Sequence, residues 1–324
     1  MSAAEPTPGL AAVPGIVVGH WTHATGATGC TVILAPPGGM RAAARMRGRA
    51  TGTRELDALD PRHVVGRVDA IVLSGGSAYG LGAADGVMRW LRERGRGFPV
   101  RHEVVPIVPT AVIFDLGNTG AATVWPGPAE AALACDSAGR TIAEGSVGVG
   151  AGATVGKAAG IARAMKGGVG TWCGRAGDVL VGALVVVNAV GDVRDARGAI
   201  LAGARDERGG FLDTQRYLAQ GGAPFDADPS ATHNTTLAVV ATNAVLDRVA
   251  LEAVAAAASD ALARRITPYG TLFDGDVVFA ASTAAVAPAS PLQLEALAAD
   301  VVPEALERAV RLARGTAITP GLAS

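Results

Sequence analysis

Short runs of β-branched and aliphatic residues alternate along this chain with glycine-bounded turns and longer amphipathic stretches. Residues 28–34 and 69–73 read as strands from their β-branched content. The second runs into Ser74-Gly75-Gly76-Ser77, a tight turn, and then into a helix over 78–94 ended by Gly95. Residues 106–116 read as a further buried strand. The stretch 144–174 is glycine-rich and reads as irregular. Residues 178–192 read as a long apolar strand or strand pair. Residues 198–229, rich in Gly, Asp and Pro, read as an exposed loop. After it come a strand at 235–242, a helix at 244–265, a strand near 274–281 and a last helix. That helix opens on Ser290-Pro291-Leu292-Gln293, whose order spells a capping box with Pro at the first helical position. Strands and helices mix throughout, so the pattern predicts a layered α/β or α+β fold. The late strands are expected to complete a sheet begun earlier, which predicts one domain over residues 1–324.

Composition narrows this picture. Apolar residues make up 49% and aromatics only 4%, with 44 glycines, so the core is built from Ala, Val, Leu and Gly at close backbone approach. Mean hydropathy is +0.32, an excess of apolar surface that predicts a stable oligomer. Net charge is −1 with no basic or acidic block, which points away from nucleic acid and anionic membranes. Residues 1–14 lack the pattern of a secretory signal, and the apolar run 179–190 is too short to span a bilayer. Three widely spaced cysteines (Cys30, Cys135, Cys173) fit a reducing cytoplasm rather than a disulfide framework. Of the 28 basic side chains only Lys157 and Lys166 are lysines, both in the glycine-rich stretch. Codon bias explains so much arginine. It also leaves lysine mainly where a movable pKa is needed.

Chemistry concentrates at one junction. The polar segment Ser230-Ala231-Thr232-His233-Asn234 runs straight into the apolar strand that begins at Thr235. A Thr at the head of a buried strand, behind a small polar residue, suits an N-terminal nucleophile. Cleavage before Thr235 would free an α-amine to serve as base for the hydroxyl of the same residue. Asp274 and Asp276, two apart at a strand start, can face one pocket; the plainer alternative is a turn with solvated carboxylates. Asn188 is a lone amide in an apolar strand, either a structural hydrogen-bonding group or an oxyanion donor. The run Gly145 to Lys157 is neither a phosphate loop nor a dinucleotide fingerprint. Ala151, Ala153, Val155 and Ala158 occupy positions those motifs reserve. Its expected role is close backbone approach to a substrate. His20 and His23 lack a third ligand cluster, His233 reads as loop surface, and there is no GxSxG elbow. No metal or organic cofactor is expected.

With these residues in hand, the chain resembles the family of L-aminopeptidase/D-esterases, β-peptidyl aminopeptidases and nylon-oligomer endohydrolases. The likeness runs nearly end to end. It includes Val13-Pro14-Gly15-Ile16-Val17-Val18-Gly19-His20-Trp21, Gly52-Thr53-Arg54-Glu55, Leu73-Ser74-Gly75-Gly76-Ser77-Ala78-Tyr79-Gly80-Leu81, Lys166-Gly167-Gly168-Val169-Gly170 and Asn234 to Asn243. The resemblance implies an αββα sandwich of the N-terminal-nucleophile type, self-cut into 1–234 and 235–324, and a homotetramer of such pairs. Asn234, Thr235, Asp274, Asp276, Lys157 and Asn188 match the nylon-hydrolase pattern rather than the serine pattern of the aminopeptidases. A tyrosine the family carries near residues 113–116 stands here as Phe114, which removes one hydroxyl donor to the oxyanion. The implied activity is hydrolysis of linear amides such as 6-aminohexanoate oligomers. An aminopeptidase acting on short peptides is the alternative enzyme, and a small-molecule-binding module using the glycine-rich loop is the non-enzyme alternative.

Overall fold

The apolar runs are strands, and they assemble into two five-stranded sheets. The computed structural model describes residues 9–118, 123–224, 234–287 and 290–323. One sheet has the order Val17–Thr22, Gly29–Leu34, Ala70–Ser74, Thr110–Val112, Thr53–Arg54. The other has the order Val169–Ala176, Val179–Asn188, Thr235–Ala244, Gly275–Val286, Arg41–Gly48. Neighbours are antiparallel except Ala70–Ser74 with Thr110–Val112 and Thr235–Ala244 with Gly275–Val286. Parallel neighbours need a crossover. Here helix α1 (Ala83–Arg92) lies within the first connection, ahead of α2 (Pro128–Asp136) and the short α3 (Thr214–Ala219), and α4 (Arg248–Ala263) lies within the second.

Strand periodicity sets the layers. Leu237, Val239, Val277 and Phe279 face Ile33, Ile71 and Leu73 of the other sheet. Their neighbours Ala238, Val240, Val278 and Ala280 face Leu251 and Val254 of α4 and Val302 and Leu306 of the last helix, α5 (Pro291–Arg311). On the far side, Val32 and Val72 pack against Val87 and Leu91 of α1 and Ala131 and Ala134 of α2. The order is helix, sheet, sheet, helix: an αββα sandwich. Burial on both faces is why these strands read as unbroken apolar runs.

Several elements depart from the sequence pattern. Only Thr110–Val112 of the expected 106–116 strand pairs. Pro106 and Pro109 have no N–H to give a ladder, and the N–H groups of Ile107 and Val108 go to the carboxylates of Asp69 and Glu55 instead. The region 144–174 is less irregular than expected, since Val169–Ala176 forms an edge strand of the second sheet. The expected loop at 198–229 holds the strand Ile200–Ala202 and α3, with 225–229 outside the described residues. The helix expected at 244–265 starts later, because the Asp247 side chain accepts from Ala250 N–H and caps it there. The Ser290 capping box does not form. Ser290 makes no side-chain cap bond, and Gln293 N–H reaches its backbone carbonyl instead. Among the described residues no helix is long and apolar enough to cross a membrane.

Candidate active site

Strand register places Thr235 beside Asn188, at the ends of the adjacent strands Thr235–Ala244 and Val179–Asn188. On its other side the chain at Asn234 bridges to Asp274 in parallel. The Asn234–Thr235 junction therefore sits at one end of three central strands. Asn188, Asn234, Thr235, Asp274, Asp276 and Lys157 are all at least 96% buried, Lys157 being the most exposed at 4%. The Thr235 hydroxyl donates to the carbonyl oxygen of Asn234 at 2.5 Å. That oxygen also accepts from Gly275 N–H at 2.8 Å.

Each carboxylate has its own set of donors. Asp276 accepts from Thr236 N–H at 2.5 Å and from Gly270 N–H at 3.1 Å. Asp274 accepts from the Thr271 hydroxyl at 2.6 Å and the Thr271 N–H at 3.0 Å, with Val190 N–H at 3.4 Å. Neither is a solvated turn carboxylate. Burial, followed by the charge of Asp274, pushes the Asp276 carboxyl well above the usual carboxylate range.

Lys157 donates to the backbone carbonyl of Asn188 at 3.0 Å and to its Oδ1 at 2.7 Å. Asn188 Oδ1 also accepts from Thr154 N–H at 3.1 Å, and Asn188 Nδ2 donates to the Phe114 carbonyl at 2.9 Å. The carboxamide is thus a fixed bracket between the lysine and the segment that follows strand Thr110–Val112 of the first sheet. Phe114 meets it through its backbone, which a Tyr-to-Phe change leaves in place. Burial lowers the Lys157 amine to about 7, against the opposing pull of Asp274 and Asp115.

This charge network has a second half, of which the sequence singled out Lys166 by its rarity but not Asp115. Lys166 is buried and donates to the carbonyls of Gly150, Ala153 and Gly167, and burial lowers its amine to about 7. Asp115 accepts from Thr28 Oγ1 and Gly76 N–H, each at 2.7 Å, and burial raises its carboxyl to about 6. The scarcity of lysine was the available signal for Lys166. Nothing local distinguished Asp115. The glycine-rich loop also differs from expectation. A Cβ on Gly152 would stand 2.3 Å from the Ala27 carbonyl oxygen and 2.5 Å from Asp115 Oδ2, so that glycine meets protein rather than substrate. His20 and His23 pair separately, with Thr31 and Thr25. His233 lies outside the described residues. A cleft of about 770 Å³ near Pro37, Arg67, Arg96 and Phe98 shares no residue with this cluster.

The model of peptidase family S58 matches residues 9–323. The chain belongs to peptidase family S58. This S58 chain is 47% identical over 289 residues to an "uncharacterized aminopeptidase" of Mycobacterium tuberculosis, covering 85% of this chain and 81% of the relative. It is 34% identical over 277 residues to the 6-aminohexanoate-oligomer endohydrolase of a Kocuria strain, covering 83% of this chain and 73% of that enzyme. Its fold matches the L-aminopeptidase D-Ala-esterase/amidase of Ochrobactrum anthropi with a TM-score of 0.70 at 20% identity, over 99% of this chain and 90% of that one. That structure is described as a variant of the N-terminal-nucleophile hydrolase fold. The S58 chain is accordingly an amide-bond hydrolase on an αββα scaffold.

Proposed function

We propose that this S58 hydrolase cuts itself between Asn234 and Thr235, and that the freed Thr235 then hydrolyses small linear amides and short peptides. The observation that carries this reading is the buried Thr235 hydroxyl, 2.5 Å from the carbonyl oxygen of the residue before it. In the uncut chain Lys157, its amine near 7, takes the hydroxyl proton; after the cut the α-amine of Thr235 does so. Asn188 anchors Lys157 and keeps its second amide hydrogen for the oxyanion. Asp274 and Asp276 set the electrostatics of the lysine and the strand head. Thr235 attacks the amide carbonyl, the amine leaves with a proton, and water hydrolyses the resulting ester.

Two substrate classes fit, each supported by a different observation. The Asn-Thr junction with Asp274, Asp276, Lys157 and Asn188 favours linear amides such as 6-aminohexanoate oligomers. The 47% identity to proteins named aminopeptidases favours short peptides with free N-termini. Intact mass of the aged protein tests self-processing: two fragments, one starting at Thr235, are expected, with Thr235→Ala remaining whole. Wild type that stays whole while hydrolysing amides would sink the reading. A free-amine amide and its N-acetylated twin then separate the substrate classes, since loss of activity on acetylation identifies the aminopeptidase.

A further inference from the structure

The peptide between the two site carboxylates is held more firmly than the carboxylates' own chemistry requires. The Asp274 carbonyl oxygen accepts from Arg49 N–H at 2.9 Å and from Ala50 N–H at 3.0 Å. With its carbonyl end tied, the same peptide aims its Gly275 N–H at the Asn234 carbonyl oxygen, 2.8 Å away. Residue 275 carries no side chain because a Cβ there would lie 2.4 Å from the Ala50 carbonyl oxygen. Beside the same carbonyl, Asn234 is fully buried and its Nδ2 and Oδ1 have no partner among the described residues, so its own side chain does not serve this oxygen.

We propose that the backbone N–H of Gly275 is the oxyanion donor for cleavage of the Asn234–Thr235 bond. The proposal rests on the self-processing reading above. In the uncut chain the Asn234 oxygen takes hydrogen bonds from Gly275 N–H and the Thr235 hydroxyl. When Thr235 Oγ adds to the Asn234 carbonyl carbon, its proton departs and it can no longer donate. Negative charge grows on the Asn234 oxygen, and Gly275 N–H is the donor already aimed at it. The proton arrives on the Thr235 nitrogen, the C–N bond breaks, and an ester to Oγ remains with a free amine. Water then adds to the ester carbonyl, the C–Oγ bond breaks, and the hydroxyl regains its proton. Asn234 ends as a carboxylate, with one proton released. A preorganised donor is most effective in such a water-excluded place, because no reorganisation is needed as the charge appears.

The same hydrogen bond also begins the ladder between two parallel strands, so the test must separate the two roles. Replacing Gly275 by glycolic acid in the full-length chain turns this N–H into an ester oxygen and keeps the shape. The equivalent ester at Val277, two residues along the strand, perturbs the ladder away from the reacting carbonyl. Processing followed by intact mass should slow about 10²–10³-fold for the 275 ester and stay near the parent rate for the 277 ester. Equal slowing of both, or of neither, overturns the proposal. If the 275 ester does not fold, Gly275→Ala keeps the N–H but displaces it against Ala50. Slowed processing by folded Gly275→Ala then supports the proposal, and parental speed overturns it. A parent chain that never cuts overturns the self-processing reading itself, an outcome distinct from a parent that cuts and an ester that cuts as fast.

Discussion

At the scale of single residues, the two lysines carry the most informative chemistry. Arginine cannot give up its proton at any ordinary pH, whereas the Lys157 amine sits near 7. Lys157→Arg keeps the charge and loses the base, so neither processing nor turnover should survive; a variant that still cuts at the parental rate excludes Lys157 as the proton acceptor. The same shift is readable as stability. Lys157 and Lys166 titrate near 7 when folded and at 10.5 when free. Between those values the unfolded chain holds two protons that the folded chain has released, so stability rises with pH across the window and levels off below it. Each lysine contributes about 1.4 kcal/mol per pH unit there. Asp276 works with the opposite sign, since its raised carboxyl keeps a proton the unfolded chain has lost until that raised pKa is passed. Asp115, at about 6, adds no slope above that pH. Cys30, pushed up by burial, opposes the lysines once the free thiol titrates near 9. Two amines against one carboxyl leave a positive slope just above neutrality. Guanidinium unfolding of Thr235→Ala should therefore show higher stability at pH about 8.5 than at about 7.5, by about 1–3 kcal/mol. Lys157→Met in that background should lose one lysine's share, and a flat profile in the parent would mean the lysines stay charged inside.

At the scale of elements, close packing of helix on sheet depends on small residues. On the edge strand Val169–Ala176, a Cβ at Gly170 would stand 2.1 Å from the Ala305 carbonyl oxygen and 2.3 Å from the Ala309 nitrogen of α5. Gly170→Ala must push the helix off the sheet, and overpacking of this kind costs about 1–3 kcal/mol. Denaturant midpoints of the variant and parent, both carrying Thr235→Ala, should differ by that much; no change would show that α5 can shift freely. This contact also explains what the sequence concealed. Glycines 168, 170 and 174 made the region look irregular; its sheet partner Val179–Asn188 follows directly in a hairpin, but helix α5, which these glycines admit, lies far off in the chain. Elements with a local signature were legible: the apolar strands at 179–188 and 235–244, and the Asp274–Asp276 pair at a strand start. The Asn234–Thr235 junction was legible too, because polarity changes abruptly there. Asp115 and the Gly275 N–H were not, since both depend on which distant backbone lies opposite. The full reach of the Asn188 carboxamide was equally hidden, because Phe114 and Thr154 come to it from other elements.

At the scale of the whole molecule, a cut before Thr235 divides the chain without dividing the fold. The strands Thr235–Ala244 and Gly275–Val286 are neighbours inside the second sheet, flanked by Val179–Asn188 on one side and Arg41–Gly48 on the other. Residues 235–324 thus supply two inner strands, α4 and α5, and residues 1–234 supply the strands that enclose them. Both main cores draw apolar side chains from each side of the junction. The surface between the fragments is a domain core rather than a docking patch, so the fragments should remain joined, as obligate partners do. Native mass measurement of the cut protein should give species holding both fragments in equal number, each pair outweighing the intact chain by one water. Release of either fragment without denaturant would count against the cut site. Unfolding offers a sharper check. Thr235→Ala keeps its two halves covalently joined, whereas unfolding of the cut protein also dissociates them. The melting temperature of the cut protein should therefore rise with concentration more steeply than that of Thr235→Ala. Any assembly into larger oligomers adds the same concentration dependence to both, so the excess slope measures the fragment interface alone. Identical slopes in a sample shown by mass to be fully cut would mean that the two fragments do not separate on unfolding.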